Sequence, residues 1–406
     1  MNNMLKYGAL AVFVGATGVA QADTAETKGG ITIKTEDGRF EAKVGGRIHF
    51  DAYMFDEDEF SATSGTEFRR ARLTLSGKAY GWEYKFENDF AGQSGTEGTG
   101  FRDLFIATKM GPGKLTIGQF KPYRSMEELT SSNEITIAER PFSSATGIYN
   151  GRQFQQGVGY LMGGDNYTFG VSGFSLRSGA ASAGRNEGVG AATRLTYAPI
   201  ASDTSTVHLG LSYSVENLNK GTTGIAAAAG YGGRRGPSLS IASAAAGEEA
   251  TVIGLEAAAV FGPFYTQAEY AMGDFAQATG DDQEVVTYYV QAAFNLTGES
   301  KPYNKSNGVF RSVKPKNPSG AIELVARYDF IEREDSTLTT VNDGDQDREA
   351  TSTTLGVNWY LNPNLRFMLG YTMGDGIFST TAGTPPVTTN TADETKQISL
   401  RTQFSF

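Results

Sequence analysis

The chain has no cysteine in 406 residues, and only two histidines, two tryptophans and 12 prolines. The missing cysteine excludes a disulfide framework and thiolate metal sites, though not an oxidising compartment. His49 and His208 stand far apart with no accompanying serine motif, which leaves little for a metal pair or a catalytic base. Past residue 22 no stretch approaches the 18 or so continuous apolar residues of a membrane helix. Basic residues are not in excess either. Lys and Arg number 35 against 45 Asp and Glu, a formal charge of −10, which argues against nucleic acid as a partner.

What is present is strand and turn chemistry: 51 glycines, 19 tyrosines and 25 phenylalanines. Hydrophobic content is 39%, low for a helical membrane protein. It suits a barrel that shows lipid only alternate side chains. The N-terminus reads "MNNMLKYGALAVFVGATGVAQAD", with Lys6, an apolar stretch over residues 9–20 and the A-x-A site Ala20-Gln21-Ala22. Residues 1–22 are therefore expected to be a secretory signal, removed from an exported domain of residues 23–406.

The dominant period is two. Phe40, Ala42, Val44, Ile48 and Phe50 alternate with Lys43, Arg47 and His49; Trp82, Tyr84 and Phe86 alternate with Glu83, Lys85 and Glu87. Ile322, Leu324, Tyr328 and Phe330 oppose Glu323, Arg327, Asp329 and Arg333. One apolar and one charged face fits a half-buried sheet or a barrel with lipid outside and water inside. Connection lengths separate the two. Strand centres fall near residues 47, 73, 86, 106, 117, 157, 171, 193, 210, 255, 270, 290, 326, 356, 369 and 401, and the connections alternate short and long. The expected fold is all-β: a transmembrane antiparallel β-barrel of about 16 strands, with short periplasmic turns and long outer loops. Residues 297–320 break the pattern, being long where a turn is due. Residues 217–249 and 375–393 are expected as loops, the first small-residue rich and mobile.

Two local motifs have plain explanations. "DGDQDREATSTT" (343–354) starts like a calcium loop, but Arg348 stands at the glycine position and Thr354 at the glutamate position. "SMEELTSS" predicts one helical turn capped by Ser125, with Glu128 placed for a capping box.

"EFRRARLTLSGKAYGWEYKFENDF", "LTIGQFKPYRSMEELTSSNEITIAER", "LTGESKPYNKSNGVFRSVKPKNP" and "LGVNWYLNPNLRFMLGY" resemble the phosphate-selective porin O and P family of Gram-negative bacteria. The resemblance covers essentially all of residues 23–406. It implies a homotrimeric 16-stranded outer-membrane channel, set among lipid and lipopolysaccharide, that passes phosphate, polyphosphate or other small anions. It also implies a third outer loop, here residues 121–152, folded into the lumen, and a C-terminal Phe406 read by the barrel-insertion machinery.

The candidate anion-binding set is Arg70, Arg72, Lys121, Arg140, Arg194, Arg234, Arg235 and Arg401. Arg70 and Arg72 share the polar face of their strand, opposite Ala71, Leu73 and Leu75. Lys301, Lys305, Arg311, Lys314 and Lys316 would make a basic segment at the periplasmic mouth. Arginine suits anions through its permanent charge and planar fork of donors. The same arginines could instead pair with luminal Glu83, Glu323 or Asp329. The third loop's Arg124, Arg140, Glu127, Glu128 and Glu139 could likewise pair among themselves. There is no R-x-R-x-R run, so general anion preference is the expectation rather than phosphate specificity. A general or weakly cation-selective porin is the alternative, ahead of a barrel enzyme or a structural surface barrel. No cofactor and no catalytic or metal-binding residue is expected.

Overall fold

The computed structural model describes residues 22–26, 30–91, 100–176, 187–219, 225–334, 348–382 and 387–406. The expected signal segment, except Ala22, lies outside the described residues, as do Asp343, Asp345 and Asp347 of the acidic loop.

One sheet of eighteen strands contains sixteen that close into a barrel and an N-terminal hairpin, Ala22–Glu26 with Ile31–Thr35, that pairs onto the first of them. The sixteen are β1 (Phe40–Asp56), β2 (Gly65–Ala79), β3 (Trp82–Asp89) and β4 (Gly100–Met110). Next come β5 (Gly113–Phe120), β6 (Gln155–Gly163), β7 (Tyr167–Leu176) and β8 (Gly188–Ala201). Then follow β9 (Ser205–Asn217), β10 (Glu249–Phe261), β11 (Phe264–Phe275) and β12 (Gln283–Asn295). The last four are β13 (Ala321–Glu334), β14 (Arg348–Tyr360), β15 (Leu365–Ala382) and β16 (Val387–Ser405). Each pairs antiparallel with the next, and β16 returns to β1 with Arg401 opposite Asp51. Closure leaves none of these sixteen as an open edge strand, the condition for spanning lipid with strands. All sixteen expected strand centres fall inside these strands.

Alternation sets the two faces. Leu73, Phe86, Ile106, Leu209, Leu255, Leu369, Leu400 and Phe404 are exposed on the outside, while His49, Asp51, Arg72, Glu87, Ser212, Glu256, Asn358 and Arg401 are buried inside. At the chain end, Phe406 and Gly46 exchange backbone hydrogen bonds of 2.9 and 3.1 Å. A Cβ on Gly46 would lie 2.6 Å from the Arg72 carbonyl and 2.7 Å from the Phe406 ring, so only glycine fits there.

Three places depart from simple alternation. In β2 the register slips between His49 and Phe50 of the partner strand: His49 faces Arg70, but Phe50 faces Phe68. This β-bulge turns the side chains of both Arg69 and Arg70 inward, whereas strict alternation would send Arg69 out to lipid. The described residues of 375–393 are strand rather than loop. β15 and β16 pair continuously out to Ala382 opposite Val387, because threonine-rich backbone pairs well without an apolar face. The described residues of 217–249 are not an open loop either. They contain a hairpin, Ile225–Ala229 with Leu239–Ala244, whose Ala227, Ala229, Tyr231 and Ile241 are fully buried. Alanine close-packs there with almost no side-chain entropy to lose.

The interior is packed on one side. Phe142, Ile148 and Tyr149 join that hairpin against Phe174, Val252, Phe275, Val285 and Ile331 of the wall. Met126 and Ile137 join Val309 and Phe310 of the long inner turn against Val260, Tyr265 and Val325. These apolar clusters lie along β7 to β14.

Candidate functional site

Residues 121–152 make hydrogen bonds to inward-facing groups of nine strands. Arg47 donates to Ser132 Oγ at 2.9 Å, Arg124 to Glu216 at 2.8 Å, and Arg327 to the Glu139 carbonyl at 2.8 Å. Asn358 and Arg366 donate to the Thr136 carbonyl, each at 2.9 Å. One helical turn, α1 (Met126–Leu129), begins the segment. Ser125 caps it, its Oγ accepting from Glu128 N at 3.1 Å. The capping box is only half formed, for the Glu128 carboxylate accepts from Ala145 N at 2.9 Å instead. Glu269 of β11 takes the orphan N–H groups of Met126 and Glu127, at 3.0 and 2.8 Å. Arg124 and Glu139 therefore reach the wall, whereas Arg140, Glu128 and Lys121 bond within the segment.

The carbonyls that end α1 hold two cations. Lys121 Nζ donates to the carbonyl of Glu128 and, at 3.1 Å, to that of Thr130. Arg140 donates to the same Thr130 carbonyl at 2.7 Å and to that of Glu127. Its nearest carboxylate oxygen, on Glu127, is 4.0 Å away. Burial pushes the Lys121 ammonium well below its usual range, and Arg140 beside it pushes the same way. A negative ion nearby would oppose both effects.

Two cavities meet at Arg140. The outer one, about 520 Å³, runs between residues 137–151, the hairpin region 228–238 and β13 to β16. Its cationic lining is Arg69, Arg140, Arg234, Arg235, Arg327 and Arg401. The inner one, about 270 Å³, lies toward the short-turn end, and Arg47, Arg72, Lys85, Lys114, Lys121 and Arg140 line it. Their carboxylate partners are Glu67, Asp51, Glu139 and Asp329 in the outer cavity, and Glu83, Glu87, Asp89 and Asp103 in the inner. Together the two cavities have eleven cations, Arg140 being common to both, against nine carboxylates once Glu127, 4.0 Å from Arg140, is counted.

The candidate residues divide accordingly. Arg401 donates to both Asp51 oxygens at 2.8 and 2.6 Å and to Glu139 at 2.7 Å. Arg72 is held by Asp89 at 2.7 Å and Glu87 at 3.0 Å, and Arg234 by Glu67 at 3.0 Å. Arg194 lines neither cavity. It forks onto Glu256 at 2.7 Å twice and donates to the carbonyls of Asn307 and Gly308, clamping the long inner turn to β8. Arg70 also lines neither cavity. It lies 3.4 Å from His49 Nδ1 with no carboxylate at ion-pair distance among the described residues. Arg235 likewise has none, and donates to the Thr66 carbonyl at 3.3 Å from a left-handed backbone, φ 66°. The mouth segment needs one correction. Lys305, Arg311, Lys314 and Lys316 are exposed, but Lys301 is buried, 4.0 Å from Glu323 and over the Tyr265 ring. The turn folds inward there, seating Val309 and Phe310 against Met126. Sequence reasoning missed Asp51, left Arg69 out of the candidate set and gave Glu139 partners only within its own loop. Only the bulge and the long-range pairing of residues 121–152 bring them in.

Neither histidine forms a catalytic pair with serine. His49 Nε2 lies 2.9 Å from Asn133 Oδ1, and His208 sits between Tyr303 OH at 2.8 Å and Glu256 at 3.0 Å.

The family model described as phosphate-selective porin O and P matches residues 42–406. Porin O of Pseudomonas aeruginosa is 30% identical over 404 aligned residues, covering 91% of this chain and 89% of that one. Among solved structures, the trimer form of OmpT from Vibrio cholerae superposes with a TM-score of 0.55 at 12% identity, covering 90% of this chain and 99% of that one. An anion-selective porin from Comamonas acidovorans gives 0.54 at 14% identity, covering 90% and all of that chain. These two establish the barrel fold, and the sequence match gives the family: the chain belongs to the phosphate-selective porins O and P and is a bacterial outer-membrane porin.

Proposed function

We propose that this porin passes small anions, phosphate among them, by passive diffusion through the two basic chambers. In this reading residues 121–152 are the third outer loop folded inward, and Arg140 marks the constriction. The observation that carries it is the cationic lining of two consecutive cavities that share Arg140. Lys121, Arg140 and Arg235, the chamber cations with no close carboxylate, are the attracting charges. Arg70 adds a fourth from the wall between. Arg72, Arg194, Arg234 and Arg401 hold the frame through their carboxylates. Exposed Lys305, Arg311, Lys314 and Lys316 collect anions at the periplasmic end. A low-dielectric bore focuses such charges, so the acidic outer loops do not decide the sign of selectivity.

The same reading includes a signal peptide at residues 1–22 and a homotrimer among lipid and lipopolysaccharide. It also includes delivery by insertion machinery that reads Phe406. The exposed apolar rows and the trimeric Vibrio relative support the trimer. The purified protein is a channel rather than an enzyme and should show no hydrolase activity.

The test is a planar-bilayer reversal potential under a KCl gradient. Anion preference is expected, and cation preference would reject the proposal in favour of the weakly cation-selective alternative. A unit charge about 4 Å from an ion in water is worth about 1 kcal/mol. Arg140→Ala should therefore lower the anion-to-cation permeability ratio about fivefold. No change would remove Arg140 from the path.

A further inference from the structure

We propose that the outer chamber selects small organic carboxylates with an apolar body over inorganic anions; this rests on the anion-path reading above. The chamber joins two kinds of surface. Arg140 and Arg235 supply guanidinium groups with no carboxylate closer than 4.0 Å among the described residues. Tyr53, Ile137, Phe142, Val325 and Met368 line the same space, and each is less than a tenth exposed. A hydrated inorganic ion gains nothing from such a wall and loses water against it. A carboxylate with a ring or short chain gains on both sides: its two oxygens match the planar fork, and its body covers apolar surface.

Size agrees. Cavities of about 300–1,000 Å³ enclose organic ligands. The outer chamber, at about 520 Å³, is within that range, and the inner one, at about 270 Å³, falls below it. The sequence agrees as well. A dense row of alternating arginines would suit a multiply charged tetrahedral anion, and β2 offers only a bulged Arg69-Arg70 and Arg72. Four of the six outer guanidiniums are already occupied by carboxylates, so the net attraction fits a singly or doubly charged guest.

The experiment uses the full-length protein in planar bilayers carrying KCl current, with sodium benzoate, acetate or inorganic phosphate added on the loop side. The concentration that halves the current is the readout. Benzoate should act at about one-tenth the acetate concentration, and below phosphate, since the ring is the only added contact. Phe142→Ala and Met368→Ala should each bring the benzoate-to-acetate ratio toward one. Arg235→Ala should weaken both acids and leave their ratio in place. Equal block by benzoate and acetate in the wild-type protein, or stronger block by phosphate, overturns the inference while the anion path stands. Cation preference in the KCl gradient overturns the anion path itself, so the two failures are distinct.

Discussion

At the scale of single residues, Arg401 shows how much depends on partners rather than on residue type. It is 1% exposed, forks onto Asp51 and also reaches Glu139. Removing one partner of a buried pair leaves the other charge desolvated, at a cost of about 3–5 kcal/mol. Arg401→Ala should therefore lower the urea midpoint of the detergent-solubilised protein more than Lys305→Ala, whose side chain is exposed. Equal midpoints would contradict the geometry. Glu139 makes the matching pH statement. Burial pushes its carboxyl up, but the guanidiniums of Arg69 and Arg401 outweigh that and hold it well below the ordinary range. A depressed folded-state value means that its contribution is present above the unfolded carboxylate range. That contribution is lost only as pH falls through the lower folded value. The tie between residues 121–152 and β2 should stay intact from neutrality to about pH 5. Below that, hydrogen exchange across residues 135–145 should quicken, and Glu139→Gln should abolish this acid step.

At the scale of elements, the strands were legible because lipid and water impose opposite demands on alternate residues. Wherever both faces meet polar surroundings, that contrast vanishes. The outer ends of β15 and β16 are threonine-rich with no apolar alternation, so that sequence reads as a loop although the backbones pair. The β2 bulge was hidden for a related reason, since alternation alone cannot reveal an extra residue. The site was legible only in part. Lys121 and Arg140 were singled out from the third loop, but which cations keep a close carboxylate depends on contacts such as Arg401 with Asp51, 350 positions apart. The long inner turn gave a signal through its length, but not its direction. It folds inward and inserts Val309 and Phe310 beside α1. Replacing residues 305–312 by a short glycine-serine link should remove part of that packing and raise single-channel conductance. An unchanged conductance would mean that the turn does not narrow the bore.

At the scale of the whole molecule, a chain of formal charge −10 lines two chambers of its interior with arginine and lysine. Carboxylate runs such as Asp56-Glu57-Asp58-Glu59 lie in an outer connection, and the chamber cations lie in the bore beside their carboxylate partners. Screening lengths fall from about 10 Å at 0.1 M salt to about 3 Å at 1 M. The acidic loops should lose influence first, and the close-range charges of the constriction should lose it last. Reversal potentials measured at a fixed gradient should therefore keep their anionic sign at 1 M KCl, with a smaller magnitude. A sign change with salt would place control in the loops.

The closing contact between the last strand and the first has one more consequence. Asp51 belongs to β1 and Arg401 to β16, and they meet only when the ring is sealed. Glu139 then bridges this seam to Arg69. An unsealed barrel would therefore leave these charges without their partners, as well as having a leak in its wall. Sealing the cylinder and completing the electrostatic filter are one event, so a half-assembled barrel has no intermediate selectivity to display.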